Sequence, residues 1–100
     1  MPDYRLSKAA ENDLLQIGEY TLANWGREQA RLYLTELATE FKQLSLSPAA
    51  GRLRVEIDDS VRSFQVRHHI IFYRQTKMGI EIARVLHQAM DLERHLKPKS

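Results

Sequence analysis

The chain has 100 residues, of which 43% are hydrophobic and 28% charged, with a net charge of +2 and no cysteine. That length makes one small domain with a single core, burying roughly 60–70% of its unfolded surface. The composition excludes a largely disordered chain. The lack of cysteine excludes disulfides, thiolate zinc ligands and a thiol nucleophile, and no apolar run approaches the roughly 18–20 residues of a membrane span.

The opening Met1-Pro2-Asp3-Tyr4-Arg5 lacks a basic stretch followed by an apolar one, so no signal peptide is expected and a cytoplasmic protein fits most simply. Tyr4-Arg5-Leu6 alternates and predicts a short first strand. Ser7 precedes Lys8-Ala9-Ala10-Glu11 and is a good N-cap, because its hydroxyl accepts an orphan amide proton of the first turn. The helix that follows runs to about Asn24. Ala10, Leu14, Ile17, Thr21 and Trp25 form its apolar stripe, with Leu15 and Leu22 on the shoulder. Gly26 breaks the pattern.

A second helix spans about Arg27 to Leu46, with Ala30, Tyr33, Leu34, Leu37, Phe41 and Leu44 on one face. Ser47-Pro48 ends it, since proline disfavours helical backbone in the residue before it. So short a break between two helices implies an antiparallel hairpin. Pro48 to Ser60 is expected to be a loop anchored by Leu53, Val55 and Ile57.

Three strand-like runs come next. In Val61–Arg67, Phe64 and Val66 share one face and Ser63 and Gln65 the other. Ile70–Gln75 is apolar on both faces, as a central strand should be. Thr76-Lys77-Met78-Gly79 makes a turn into the β-branched run Ile80–His87. Asp91 is a candidate cap for a short terminal helix, Leu92–Leu96, and residues 97–100 are expected to fray. The order β-α-α-β-β-β describes a single α+β domain over residues 1–100. A helical hairpin packs on one face of a small, mostly antiparallel sheet. Its other face is expected to stay partly open and to carry function.

Charge is unevenly distributed. From Arg62 to His87 the only acid is Glu81, against Arg62, Arg67, Arg74, Lys77 and Arg84. Such a segment is either a solvated surface or a site for an acidic partner: nucleic acid, nucleoprotein or an acidic peptide. On the expected open face Arg84 is a candidate cation for such a partner. Arg74 and Arg84 have a structural alternative, pairing with Glu56, Asp58, Asp59 or Glu81. Trp25 and Tyr33, large aromatics at helical spacing, are expected in the core. Tyr20, Leu22 and Leu32 border the apolar stripes and are candidates for contact with a partner helix.

Several motifs in register carry a family resemblance. They are Trp25-Gly26-Arg27-Glu28-Gln29-Ala30 with Tyr33; Pro48-Ala49-Ala50-Gly51-Arg52; Ser63-Phe64-Gln65-Val66 with His69 and Ile71-Phe72-Tyr73-Arg74; and Ile80-Glu81-Ile82, Arg84-Val85-Leu86-His87 and Met90-Asp91. Together they resemble the ParE toxins of the RelE/ParE superfamily, from about Tyr4 to Leu96. The resemblance implies the toxin half of a bacterial type II toxin–antitoxin pair. It implies a cognate ParD-like antitoxin, whose C-terminal segment folds on the toxin to give a hetero-oligomer, and DNA gyrase as the target.

On that reading the antitoxin contacts are Tyr20, Leu22, Leu32, Arg62, Arg67 and Arg84. No cofactor, metal, membrane or sequence-specific nucleic-acid contact is expected, and no catalytic residue. RelE-type relatives of the same fold instead cut messenger RNA on the ribosome. That chemistry would use His87 as acid or base, with Arg62, Arg67 and Arg84 on phosphate. His68 and His69 would be substitutes for His87. RelE-type nucleases commonly carry a functional tyrosine near the C-terminus, whereas the tyrosines here are at 4, 20, 33 and 73, so Tyr73 would have to serve. The structural alternative for His87 is a strand-end ring bonded to a backbone carbonyl or Asp91. For His68 and His69 it is a place in a turn.

Overall fold

The computed structural model describes residues 3–90. The helix expected at Leu92–Leu96, its Asp91 cap and the tail 97–100 lie outside the described residues. The strands are β1 (Asp3–Leu6), β2 (Arg52–Leu53), β3 (Val61–Val66), β4 (His69–Gln75) and β5 (Gly79–His87), and the helices are α1 (Lys8–Trp25) and α2 (Arg27–Leu46). The five strands form one sheet in the order β1-β5-β4-β3-β2. β1 runs parallel to β5, and the other neighbours are antiparallel.

Ser7 starts α1 as its sequence context predicts, accepting from the Ala10 amide at 3.0 Å. The same hydroxyl donates to the Ala83 carbonyl at 2.8 Å, so the cap also ties the helix to β5. Gly26 turns α1 into α2 with φ +96°, a conformation that side chains oppose. The two helices cover one face of the sheet. Ala10, Ile17, Leu37, Phe41 and Leu44 meet Val66, Ile71, Tyr73, Ile80, Ile82 and Val85 there, all buried.

The opposite face is not open. Ile57, Val61, Phe72 and Leu86 form a second buried cluster. The chain after β2 folds over it, seating Ile57 and laying the Arg54 guanidinium 5.5 Å from the Phe72 ring centre. Of the three expected loop anchors only Ile57 is buried; Leu53 and Val55 are exposed. Leu53 instead belongs to β2, a strand too short for periodicity to reveal. Trp25 is also corrected. It is 70% exposed, because α1 runs past the end of the sheet and its stripe runs off the core.

The segment after α2 is fixed by one hydroxyl. Tyr73, on central strand β4, donates to the Pro48 carbonyl at 2.7 Å and accepts from the Gly51 amide at 2.8 Å. Arg62 adds a bond to the Gly51 carbonyl at 2.8 Å. A Cβ at Gly51 would overlap the Tyr73 hydroxyl and approach the Ser63 carbonyl oxygen to 2.8 Å. Gly51→Ala is therefore expected to destabilise the fold by about 2 kcal/mol through overpacking. Tyr73→Phe should cost about 1–3 kcal/mol by leaving the buried Gly51 amide and the part-buried Pro48 carbonyl without this partner. Urea unfolding checks both, and a cost under about 0.5 kcal/mol in each would contradict this account.

Candidate functional site

A groove of about 700 Å³ lies where the helical hairpin overhangs the end of the sheet. Tyr20, Thr21 and Trp25 of α1 form one wall, and Gln29, Leu32, Tyr33 and Glu36 of α2 form another. Arg67, His68, His69 and His87 close its end and floor. It adjoins a second groove of about 520 Å³ between α1 and the end of β5, lined among others by Asp13, Gln16, Arg84 and Met90. Tyr20, His69 and His87 line both.

The floor is built by strand pairing. Val66 and His69 pair across a two-residue turn, and His69 pairs with His87 on the other side. Arg67 reaches the turn in left-handed backbone, φ +53°, strained for a residue with a side chain. Its guanidinium meets Glu36 of α2 at 2.8 Å. The His68 and His87 rings stack at 6.3 Å, and the His69 and His87 rings meet edge-on at 5.3 Å. His69 Nδ1 lies 2.6 Å from the Tyr33 hydroxyl. Burial, with the neighbouring His87 and His68 adding to it, pushes the His69 pKa down to about 4. The ring is therefore neutral near pH 7, and the Tyr33 hydroxyl beside it also donates to the Val66 carbonyl at 3.3 Å. Burial also raises the Tyr33 phenol above its ordinary range. His87 Nδ1 accepts from the Ala89 amide at 3.0 Å, rather than the ring donating to a backbone carbonyl. The Asp91 alternative lies outside the described residues.

Asp13 is the residue that sequence reasoning missed. β1 leaves β5 after Ile82, so the edge of β5 beyond it has no neighbouring strand among the described residues. The Asp13 carboxylate fills in. It accepts from the Val85 amide at 2.9 Å and from Arg84 at 2.8 and 2.9 Å through both oxygens. The signal was present: Asp13 lies on the stripe between Ala10 and Ile17, and is buried with them. This corrects Arg84, which is turned toward α1 rather than presented on an open face, and whose partner is none of the acids expected. The carboxylate beside it holds the Arg84 pKa above the usual arginine range.

The structure brings together Tyr20, Leu32, Arg67 and His87, and sets Arg84 in the adjoining groove. It does not bring in Leu22, which is exposed elsewhere on α1, or Arg62. Arg62 pairs with Tyr73 and His87 with His69. Four residues of β4 separate these positions by roughly 13 Å. Arg74 pairs with Glu81 at 3.4 Å, one of its expected partners. Tyr73 is committed to Pro48 and Gly51 and cannot serve the groove. Trp25, Tyr33 and His69 do line it. Among the described residues no cluster of His, Cys, Asp or Glu has metal-binding geometry.

Residues 4–92 match the family model described as ParE toxin of type II toxin–antitoxin system, parDE. The chain belongs to the ParE toxin family. It is 40% identical over 94 residues to Toxin ParE1 of Mycobacterium tuberculosis, covering 93% of this chain and 96% of that one. Toxin ParE1 of Caulobacter vibrioides is 36% identical over 96 residues, covering 96% and 99%. Among solved structures, the chromosomal ParDE toxin–antitoxin system of P. aeruginosa superposes with a TM-score of 0.74 at 20% identity, covering 87% of this chain and 96% of that one. The RelBE2 toxin–antitoxin complex of M. tuberculosis gives 0.62 at 23% identity, covering 87% and 99%. The RelE/ParE fold expected from the sequence is thus the observed one, and no helix among the described residues is long and apolar enough to cross a membrane.

Two outcomes follow for this ParE family member. Asp13→Ala removes the buried partner of Arg84 and orphans the Val85 amide, so it should cost about 3 kcal/mol in denaturant unfolding. A cost under about 1 kcal/mol would mean that water replaces the carboxylate. The pH dependence concerns His69. Its folded pKa, about 4, lies below the unfolded 6.5, so the unfolded state binds more protons in that window. Stability therefore falls as pH drops from 6.5 toward about 4. The difference in melting temperature between wild type and His69→Gln, followed across that window, should show this slope. Parallel curves would exclude it.

Proposed function

We propose that this chain acts by binding: it inhibits DNA gyrase in the cytoplasm and is neutralised by a cognate ParD-like antitoxin in a toxin–antitoxin hetero-oligomer. The observation that carries the reading is the ParE family match over residues 4–92, together with close relatives that bear the same toxin name. The fold neighbour from P. aeruginosa is a ParDE system, which supports an antitoxin partner.

The arrangement of cations supports binding over turnover. Phosphoryl chemistry needs preorganised positive charge around the reacting phosphate. Here Arg84 is held by Asp13, Arg67 by Glu36, and Arg62 by the Gly51 carbonyl at the other end of β4. The rival reading is a ribosome-dependent ribonuclease. It draws on the imidazoles of His68, His69 and His87, which supply acid–base groups without a phosphate cradle.

Gyrase supercoiling with purified toxin tests the proposal. Inhibition with accumulating cleaved DNA is expected, relieved by antitoxin and retained in His87→Ala. No effect on gyrase, with ribosome-bound messenger RNA cut by wild type but not by His87→Ala, would replace this reading with the ribonuclease.

A further inference from the structure

One wall of each groove is α1. It supplies Tyr20, Thr21 and Trp25 to the first and Asn12 and Gln16 to the second. Tyr20 and Trp25 are 67% and 70% exposed, so no surrounding shell of side chains holds them. Their places are set by where the helix axis points.

Few contacts of α1 fix that direction. Ala10 and Ile17 are buried, but apolar contact is non-directional and lets a helix tilt or slide by small amounts. The Thr21 hydroxyl donates to the Ile17 carbonyl and the Asn24 amide to the Tyr20 carbonyl, both inside the helix. Among the described residues, Asp13 is the one member of α1 whose side chain hydrogen-bonds to the sheet. Its two oxygens accept from Arg84 and from the Val85 amide at 2.8 to 2.9 Å. A charge-assisted, bidentate contact fixes geometry as well as energy. A buried ion pair is a poor source of stability, since apolar side chains of similar volume often serve as well. What this pair supplies is aim.

We propose that Asp13 is a positioning residue for antitoxin capture. It holds α1 at the angle that sets Tyr20 and Trp25 over His69 and His87, and it acts on the partner only through them. The proposal rests on the antitoxin reading above. The lever is long. α1 is anchored at Ser7, whose hydroxyl and amide bond the Ala83 and Ile82 carbonyls. From Ser7, Asp13 lies about 9 Å along the axis and Trp25 about 27 Å. A tilt that moves Asp13 by about 0.5 Å therefore moves Trp25 by about 1.5 Å. A shift of that size removes the preorganisation on which a fitted contact surface depends.

The test separates position from stability. Full-length toxin is titrated calorimetrically with a full-length ParD-like antitoxin, at a temperature where circular dichroism shows each variant folded. Asp13→Ala should weaken binding about tenfold. Asp13→Asn keeps an acceptor for Val85 but loses its charge-assisted grip on Arg84, and should weaken binding about threefold. Tyr73→Phe removes hydrogen bonds away from both grooves and should bind within about twofold of wild type. The place of Trp25 is read in the free toxin. The chain has one tryptophan and no cysteine, so energy transfer from Trp25 to a thiol-linked acceptor on Gln65→Cys, an exposed position of β3, reports their separation. In that background the transfer should change with Asp13→Ala and not with Tyr73→Phe, before any partner is added. Unchanged affinity in both Asp13 variants, an equal loss in Tyr73→Phe, or weakened binding with unchanged transfer would each overturn the positioning role. Wild-type toxin that binds no ParD-like antitoxin would overturn the antitoxin reading instead.

Discussion

The carboxylate of Asp13 is the interaction on which the geometry of this molecule turns. β1 accompanies β5 only as far as Ile82, and the chain then leaves the sheet at Ser7 to enter α1. The next stretch of β5 would expose backbone donors along an unpaired edge. Asp13, a turn and a half into the helix, supplies the missing acceptor to Val85 and neutralises Arg84. Ser7 fixes the start of α1 to the same strand. Two fixed points define the direction of a helix. With α1 so directed, its last turns project beyond the sheet over His69 and His87, and the groove is the space beneath that overhang. Had β1 continued along β5, that edge would be closed and the adjoining groove filled.

The opposite side of the groove depends on a second set of bonds of the same kind. Tyr33 reaches from α2 to His69, and Glu36 reaches to Arg67 across the β3–β4 turn. These hold the second helix at the distance that leaves the floor accessible. The left-handed backbone of Arg67 fits this account. Strain of about 1 kcal/mol at a non-glycine turn residue persists where a compensating contact holds it. Here the residue's own guanidinium makes that contact.

Much of this was legible in the sequence, for identifiable reasons. A 3.6-residue period sustained over Arg27–Leu46 is a strong signal, and Gly26 and Pro48 bound it sharply. Short turns between apolar runs forced the meander. What escaped was non-local. Nothing near Asp13 in sequence announces a partner 71 residues away. Trp25 shares the apolar stripe of α1, but periodicity reports a direction around a helix, not where the sheet beneath it ends. The closure of the second face by residues 54–60 depends on one apolar residue, Ile57, seated by a loop whose path no repeat encodes. The groove itself needed Trp25 removed from the core, Tyr33 placed at the core's edge and His69 added to the floor. All three are long-range facts.

The basic segment from Arg62 to His87 carries the last lesson. As composition it points to an acidic partner or a phosphate. In the fold its arginines are turned inward or sideways, each toward an acid or a carbonyl of the same chain. Drawing Arg84 toward a phosphate would leave the buried Asp13 carboxylate with the Val85 amide as its remaining partner, a cost of several kcal/mol. A catalytic site cannot recover that cost unless its cations are already positioned where the charge develops. Arg84, Arg67 and Arg62 are positioned for α1, α2 and the loop after α2, and Arg74 for Glu81 of β5. The arginine charge counted along the chain is engaged within the chain, and what the groove exposes is aromatic surface above the neutral His69 ring.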